Sequence, residues 1–224
     1  MNLYLNADCM NPETGLPSYP DKFFKLAILD PPYGIKRLTS GGMPKAHGFK
    51  NWDRKLWDNN VPDSAYWQEV KRVSVNQIVW GGNYFTDHLP TSQGWIFWFK
   101  QKGMTFADGE LAWTSFDVAT RIFDEVGMGG NGRIHPTQKD VRLYRWILKN
   151  YAKAGDNILD THVGSASSLI AFEEMGFEYV GYELDKDYYR DSCKRLEAFR
   201  AQPKLFSGGE IFEASKQPIQ GSLF

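Results

Sequence analysis

With 224 residues the chain is long enough for one α/β domain with a sizeable core and an appendage, and too short for two full domains. Its net charge is −1 at pH 7, so any contact with a polyanion has to come from a local basic patch. Cys9 and Cys193 stand far apart without metal-ligand spacing, which argues against a disulfide or zinc framework, and no run approaches a membrane span, so a cytoplasmic protein is expected.

Met1 to Leu5 lacks a basic leader, and Leu3 to Leu5 reads as a short strand that leaves Asp8 at its carboxyl end. Pro12 to Pro20 is turn-rich. Leu26 to Leu29 is a short apolar strand, and Asp30-Pro31-Pro32-Tyr33 follows it directly, ahead of Gly34. A buried strand ending in this way sets stiff polar groups at the carboxyl edge of a sheet, where open α/β folds bind ligands. The Asp30 carboxylate and the Pro31 carbonyl are two acceptors beside the flat face of Tyr33. Together they make a cradle for a planar group bearing an NH₂.

Residues 34 to 60 lack clean periodicity and hold Lys36, Arg37, Lys45, Lys50, Arg54 and Lys55 against Asp53 and Asp58, which is the local basic patch that net charge conceals. Pro62-Asp63-Ser64 opens a helix with Tyr66, Val70 and Val73 on one face, ending near Asn76. Gln77 to Trp80 is a strand, followed by the glycine-rich turn Gly81 to Phe85. Trp95 to Phe99 is apolar on both faces, as a central strand is. Leu111 to Phe116 and Ala119 to Phe123 read as two further strands. Gly127 to Gly132 is too glycine-rich for a packed element and is expected to be a mobile loop or hinge. Aromatic residues make up 15% of the chain, with eight Trp, more than a minimal core requires, so some are expected on a binding surface.

After His135-Pro136-Thr137-Gln138-Lys139 a helix runs to about Ala152, with Val141, Tyr144, Leu148 and Tyr151 on one stripe. A βαβα run then follows: strand Asn157 to Asp160, helix Ser165 to Met175, strand Tyr179 to Glu183, helix Asp187 to Arg200. One domain over residues 1 to 202 is expected, with 203 to 224, rich in Gly, Ser, Pro and Gln, as a flexible tail. Between its strand and helix, Asp160-Thr161-His162-Val163-Gly164-Ser165-Ala166-Ser167 has the form of a nucleotide site, because glycine lets the backbone approach a ligand at a helix N-terminus. Glu183 lies about 20 residues beyond Gly164, a spacing that suits a carboxylate gripping both ribose hydroxyls. By itself the pattern fits ordinary structural turns equally well.

The order of these parts resembles the DNA amino-methyltransferases, which transfer a methyl group from S-adenosylmethionine to an exocyclic base nitrogen. The resemblance covers about residues 1 to 200 and rests on Asp-Pro-Pro-Tyr at 30 to 33, His135 to Lys139, the Asp160 to Ser167 loop and Gly181-Tyr182-Glu183-Leu184-Asp185. The catalytic motif precedes the cofactor motif, as in the family's β-type arrangement. The resemblance implies a Rossmann-like α/β fold with a mostly parallel seven-stranded sheet and helices on both faces. It assigns Asp30, Pro31, Pro32 and Tyr33 to catalysis, with Tyr33 stacking on a flipped base. For S-adenosylmethionine it implies Asp8 near the adenine, Thr137 with Lys139 near the methionine end, and Asp160, His162, Gly164, Ser165 and Glu183 from the loop and strand end; no metal is implied.

The usual loop of the family reads Asp-Pro-Phe-x-Gly-Ser-Gly-Thr-Thr, whereas Thr161, His162, Ala166, Ser167 and Ser168 replace five of those positions here. His162 stands either as a flat contact in place of Phe or as a satisfied polar core residue. Asp at position 30, and not Ser, favours adenine N6 over cytosine N4 within the family's trend. The alternatives are a cytosine-N4 enzyme or a weakened DNA- or clamp-binding protein that keeps the fold. Double-stranded DNA is the expected partner, with Lys36, Arg37, Lys45, Lys50 and Lys55 on its phosphates and residues 36 to 60 and 84 to 132 as candidate contacting insertions. The recognition region is short for a monomer, so a homodimer is an alternative. Gln220-Gly221-Ser222-Leu223-Phe224 resembles the bacterial sliding-clamp-binding peptide, and the setting implied is the cytoplasm of a bacterial or phage-infected cell.

Overall fold

The computed structural model describes residues 1–35, 61–100, 107–125, 134 and 138–202. Eight strands form one sheet: β1 (Asn2–Leu5), β2 (Phe24–Leu29), β3 (Ser74–Trp80), β4 (Trp95–Phe99), β5 (Gly109–Thr114), β6 (Arg121–Phe123), β7 (Asn157–Asp160) and β8 (Glu178–Tyr182). Their spatial order is β1-β8-β7-β2-β3-β5-β4-β6. The first five in that order are mutually parallel, β5 runs antiparallel between β3 and β4, and β6 pairs parallel with β4. The family resemblance implies seven strands, whereas the segments read one by one give eight; one of these, Ala119 to Phe123, is the three-residue β6, which extends the edge through Phe97↔Ile122 and buries Phe123.

Alternation along the central strands separates two cores. On one face Leu26, Ile28, Ile78 and Ile158 pack under α2 (Val141–Tyr151), α3 (Ser167–Glu174) and α4 (Lys186–Arg200), through Leu143, Ile147, Leu169, Phe172 and Leu196. On the other, Ala27, Leu29, Val79 and Leu159 meet Tyr66, Trp67, Val70 and Val73 of α1 (Ser64–Val73). Each of these strand positions thus buries an apolar side chain on one side or the other, and that burial drives the assembly at roughly 25 cal/mol per Å² of apolar surface.

Helix ends follow local chemistry. Asp63 caps α1 by accepting from Tyr66 N–H. The helix stops three residues before the expected Asn76, because Ser74 turns its N–H and its hydroxyl onto the Val70 carbonyl and enters β3 at once. Helix α3 begins at Ser167 and not Ser165, since Ala166 takes a left-handed conformation at its N-cap. Within the span 84 to 132, named as a candidate DNA-contacting insertion, the described residues supply β4, β5 and β6, with Ala112, Trp113 and Thr114 of β5 buried against β3. The expected loop at 127 to 132 and tail at 203 to 224 lie outside the described residues. Among the described residues no helix is long and apolar enough to cross a membrane.

This topology gathers the chemistry on one edge. From β7 the chain proceeds through α3 to β8 on one side, whereas β2 proceeds through α1 to β3 on the other. The crevice at such a reversal, outside the carboxyl ends of the strands, is where open α/β sheets bind ligands. The turns after β1, β8, β7, β2 and β3 all open there. The antiparallel β5 starts at the same edge, which the Trp98↔Glu110 register delivers Glu110 to.

Candidate active site

Asp30 ends β2 with its carboxylate partly exposed, and both of its oxygens are engaged. Tyr33 Oη donates to Oδ1 at 2.7 Å, and Lys139 Nζ donates to Oδ2. The Tyr33 ring is stacked on Tyr84, with centroids 5.1 Å apart and planes 17° from parallel. The turn after β3 makes room for it. Gly81 has φ +66°, and a Cβ there would stand 2.6 Å from Tyr33 Cζ, so both the backbone and the ring require glycine. Burial, with the nearby Asp30 and Glu110 charges, pushes the Tyr33 hydroxyl well above the ordinary phenol range, so it stays a neutral donor.

Lys139 is 4% exposed and immediately precedes Asp140, the N-cap of α2. Besides Asp30, its Nζ lies 3.4 Å from Glu110 Oε2 and 5.2 Å from the centre of the Trp80 ring. Glu110 is also paired with Lys100. Burial works against charge on Lys139, yet Asp30 and Glu110 outweigh it and hold the ammonium above the ordinary lysine range. Burial likewise opposes charge on Glu110, and Lys139 with Lys100 keeps it ionised below the usual carboxylate range. Desolvated charges persist only when paired in this way.

The loop after β7 is built around Asp160, which is buried and accepts from His162 N–H at 3.0 Å and from the Ser168 hydroxyl at 2.5 Å. Burial pushes its carboxyl up to about 7 against those two hydrogen bonds, with Asp30 and Glu183 adding to the rise. Gly164 has φ +57°, and its N–H donates to Glu183 Oε2 at 2.9 Å, while Asp185 N–H donates to Oε1 at 2.8 Å. Both oxygens of the Glu183 carboxylate thus accept from the backbone of the turns around it. The Tyr66 and Thr161 hydroxyls, 2.7 Å apart, continue to His162 Nδ1 at 2.8 Å and fix the ring. Burial lowers His162 to about 4, which keeps the imidazole neutral. Arg195 secures the loop from α4, donating to the Ser165 carbonyl at 2.6 Å and the Ser167 hydroxyl at 2.8 Å.

A cavity of about 520 Å³ joins the two halves. Asp30, Pro32 and Lys139 line it, together with Asp8, His162, Gly164, Ser165 and Glu183. Its volume suits a nucleotide-sized ligand. Asp160 and Pro31 are buried, and Tyr33 is joined to the cavity through Asp30. Asp8 accepts from Met10 N–H at 2.8 Å, so it both caps a turn and faces the cavity. Lys139, expected beside Thr137 at the cofactor's methionine end, lines the cavity and is paired with Asp30 and Glu110, because the start of α2 lies over the ends of β2 and β5. Thr137, together with Lys36, Arg37, Lys45, Lys50 and Lys55, lies outside the described residues. Sequence reasoning missed Glu110, and also Tyr144 and Tyr188, which line the cavity from α2 and α4. The one available signal for Glu110 was an acid at the head of an otherwise apolar strand. Among the described residues no group of three or more His, Cys, Asp or Glu side chains is placed to hold a metal.

Residues 75–194 match the DNA methylase family model. The putative methylase YubD of Escherichia coli (strain K12) is 33% identical over 214 residues, covering 88% of this chain and 91% of that protein. The chain belongs to the DNA methylase family. Another DNA methylase relative, the type II methyltransferase M2.DpnII of Streptococcus pneumoniae, is 39% identical over 64 residues, 29% of this chain and 24% of that enzyme. The chain thus aligns with about a quarter of M2.DpnII and with nearly all of YubD. In fold, the crystal structure of the M1.HpyAVI–SAM complex is similar with a TM-score of 0.58 at 19% identity, over 87% of this chain and all of that one.

Proposed function

We propose that this chain is an S-adenosylmethionine-dependent methyltransferase acting on adenine N6 in DNA. The observation that carries the reading is the Asp30 carboxylate facing the same cavity as Glu183 and the Gly164 turn. The residues present fit the cofactor. Glu183 presents a carboxylate acceptor to the cavity, neutral His162 offers a flat face that does not repel a sulfonium, and Asp8 lines the same cavity. When bound, S-adenosylmethionine supplies an electrophilic methyl group.

An adenine amine is a poor nucleophile because its lone pair is delocalised into the ring. Asp30 and the Pro31 carbonyl accept its two N–H groups, which draws the nitrogen toward a tetrahedral geometry and stabilises the positive charge it acquires. Tyr33 presents an aromatic face that replaces part of the stacking lost when a base leaves the duplex. Aspartate at position 30, where serine accompanies cytosine N4 in the family's trend, supports adenine. Incubation with labelled cofactor and mixed-sequence DNA, followed by digestion to nucleosides, tests the assignment. Label in cytosine favours the N4 alternative.

Two partner assignments accompany this reading. Lys36, Arg37, Lys45, Lys50 and Lys55 contact phosphates, so replacing any two lowers the salt dependence of DNA binding by about two counterions. The tail Gln220 to Phe224 engages a sliding clamp, and its deletion abolishes clamp pull-down without changing turnover on short duplexes.

A further inference from the structure

One buried atom beside Lys139 has no hydrogen bond. Glu110 Oε1 takes the Lys100 ammonium, but Glu110 Oε2 is buried and unsatisfied while standing 3.4 Å from Lys139 Nζ. Lys139 gives its hydrogen bond to Asp30 Oδ2 instead, and Tyr33 donates to Oδ1. Both oxygens of the acceptor therefore carry a donor before any amine arrives. A cation held there weakens the negative potential at the place where positive charge develops on the substrate nitrogen.

We propose that Glu110 is a positioning residue for Asp30: it draws the Lys139 ammonium toward itself when a substrate amine enters, lengthening the hydrogen bond to Asp30 Oδ2 and opening that oxygen to the amine. The inference rests on Asp30 being the amine acceptor. The displacement is small, since closing 3.4 Å to a charge-assisted hydrogen bond of about 2.8 Å takes well under 1 Å of movement. No bond or proton is exchanged. Asp30, Glu110, Lys100 and Lys139 sum to zero charge in either arrangement, so the buried cluster stays neutral throughout. The Trp80 ring, 5.2 Å from Nζ, provides a face for the cation along its path. The Lys139 side chain is only 3% exposed, so its ammonium depends on these partners for hydrogen bonds. Glu110 Oε2 then gains the hydrogen bond it lacks.

The test compares full-length wild type, Glu110→Gln and the double variant Glu110→Gln/Lys139→Met in single-turnover methylation of duplex DNA, with cofactor affinity measured by calorimetry. Glu110→Gln leaves Lys139 on Asp30, so the methyl-transfer rate falls at least about tenfold while cofactor affinity changes less than about threefold. The double variant removes the competitor and recovers most of that loss. A purely structural role for Glu110 predicts that rate and cofactor affinity fall and recover together, because removing both partners of a buried pair restores its charge balance, whereas here the methyl-transfer rate alone falls and recovers. A Glu110→Gln rate within twofold of wild type, or a double variant no faster than the single one, overturns the inference. Absence of wild-type methylation under the same conditions instead overturns the functional reading beneath it. Should Glu110→Gln fail to fold, Glu110→Asp replaces it; that variant retains the charge but withdraws it by one methylene, and the same loss and the same recovery with Lys139→Met are required.

Discussion

Lys139 and Asp30 form an ion pair across 109 residues of sequence, with Lys139 Nζ donating to Asp30 Oδ2. The pair ties the start of α2 to the end of β2 and sets a cation against the carboxylate that the proposed chemistry uses. Asp30→Ala removes that acceptor and is expected to lower methyl transfer at least about a thousandfold. Lys139 retains Glu110, so folding and calorimetric binding of S-adenosylmethionine persist, with affinity within a few-fold of wild type. Equal turnover by the variant would remove Asp30 from the assigned role.

Gly81 is the second sensitive point. In Gly81→Ala the left-handed backbone costs about 1 kcal/mol, and displacing the Tyr33 ring adds about 1–3 kcal/mol. Gly155 supplies the control, since it too has positive φ, +87°, but nothing lies within 4 Å of a Cβ there. Gly155→Ala should therefore show the backbone cost alone. Denaturant unfolding of the two variants measures the difference, and equal losses would mean that the Tyr33 contact does not matter.

Ala166 caps α3 at φ +60°, where the family's usual loop has glycine. Relief of the left-handed strain is worth about 1 kcal/mol, and loss of a buried methyl offsets part of it. Ala166→Gly is accordingly expected to keep or raise stability, by up to about 1 kcal/mol, in contrast to the loss an Ala→Gly change causes inside a helix. A clear loss in chemical denaturation would show that the strain is not real.

Asp160 and His162 give the stability opposite pH dependences. With its carboxyl pushed up to about 7, folded Asp160 holds a proton that the unfolded chain has released, so its contribution falls as pH climbs from about 4 to about 7. His162, lowered to about 4, is neutral when folded and protonated when unfolded below about 6.5, so its contribution rises with pH over that window. The two partly cancel in the wild type. The stability of Asp160→Asn minus that of wild type should therefore rise between pH 4 and 7, with a slope approaching about 1.4 kcal/mol per unit, and level off above. A flat difference curve would contradict the raised value.

The parts of the site that are local in sequence were legible. Asp30 to Tyr33, the Asp160 to Ser165 loop and Glu183 each sit where an apolar strand meets a turn, and the hydrophobic pattern alone places them on a carboxyl edge. The pairing of Lys139 was not legible, because its partners come from β2 and β5, and nothing around position 139 distinguishes a buried lysine from a solvated one in a first helical turn. Glu110 depended on register: the antiparallel return of β5 brings its first residues to the edge where the parallel strands end. The edge strand β6 is legible in its own residues, but its pairing with β4 alone, which makes the sheet eight-stranded where the resemblance implies seven, is a matter of register that local sequence does not carry.

The most direct measurement of the central claim is nucleoside analysis of DNA incubated with the full chain and methyl-labelled S-adenosylmethionine, beside Asp30→Ala. The predicted result is N6-methyladenine as the labelled nucleoside for the wild type and none for the variant. Label recovered only as N4-methylcytosine would contradict the base assignment, and undiminished label with Asp30→Ala would contradict the site.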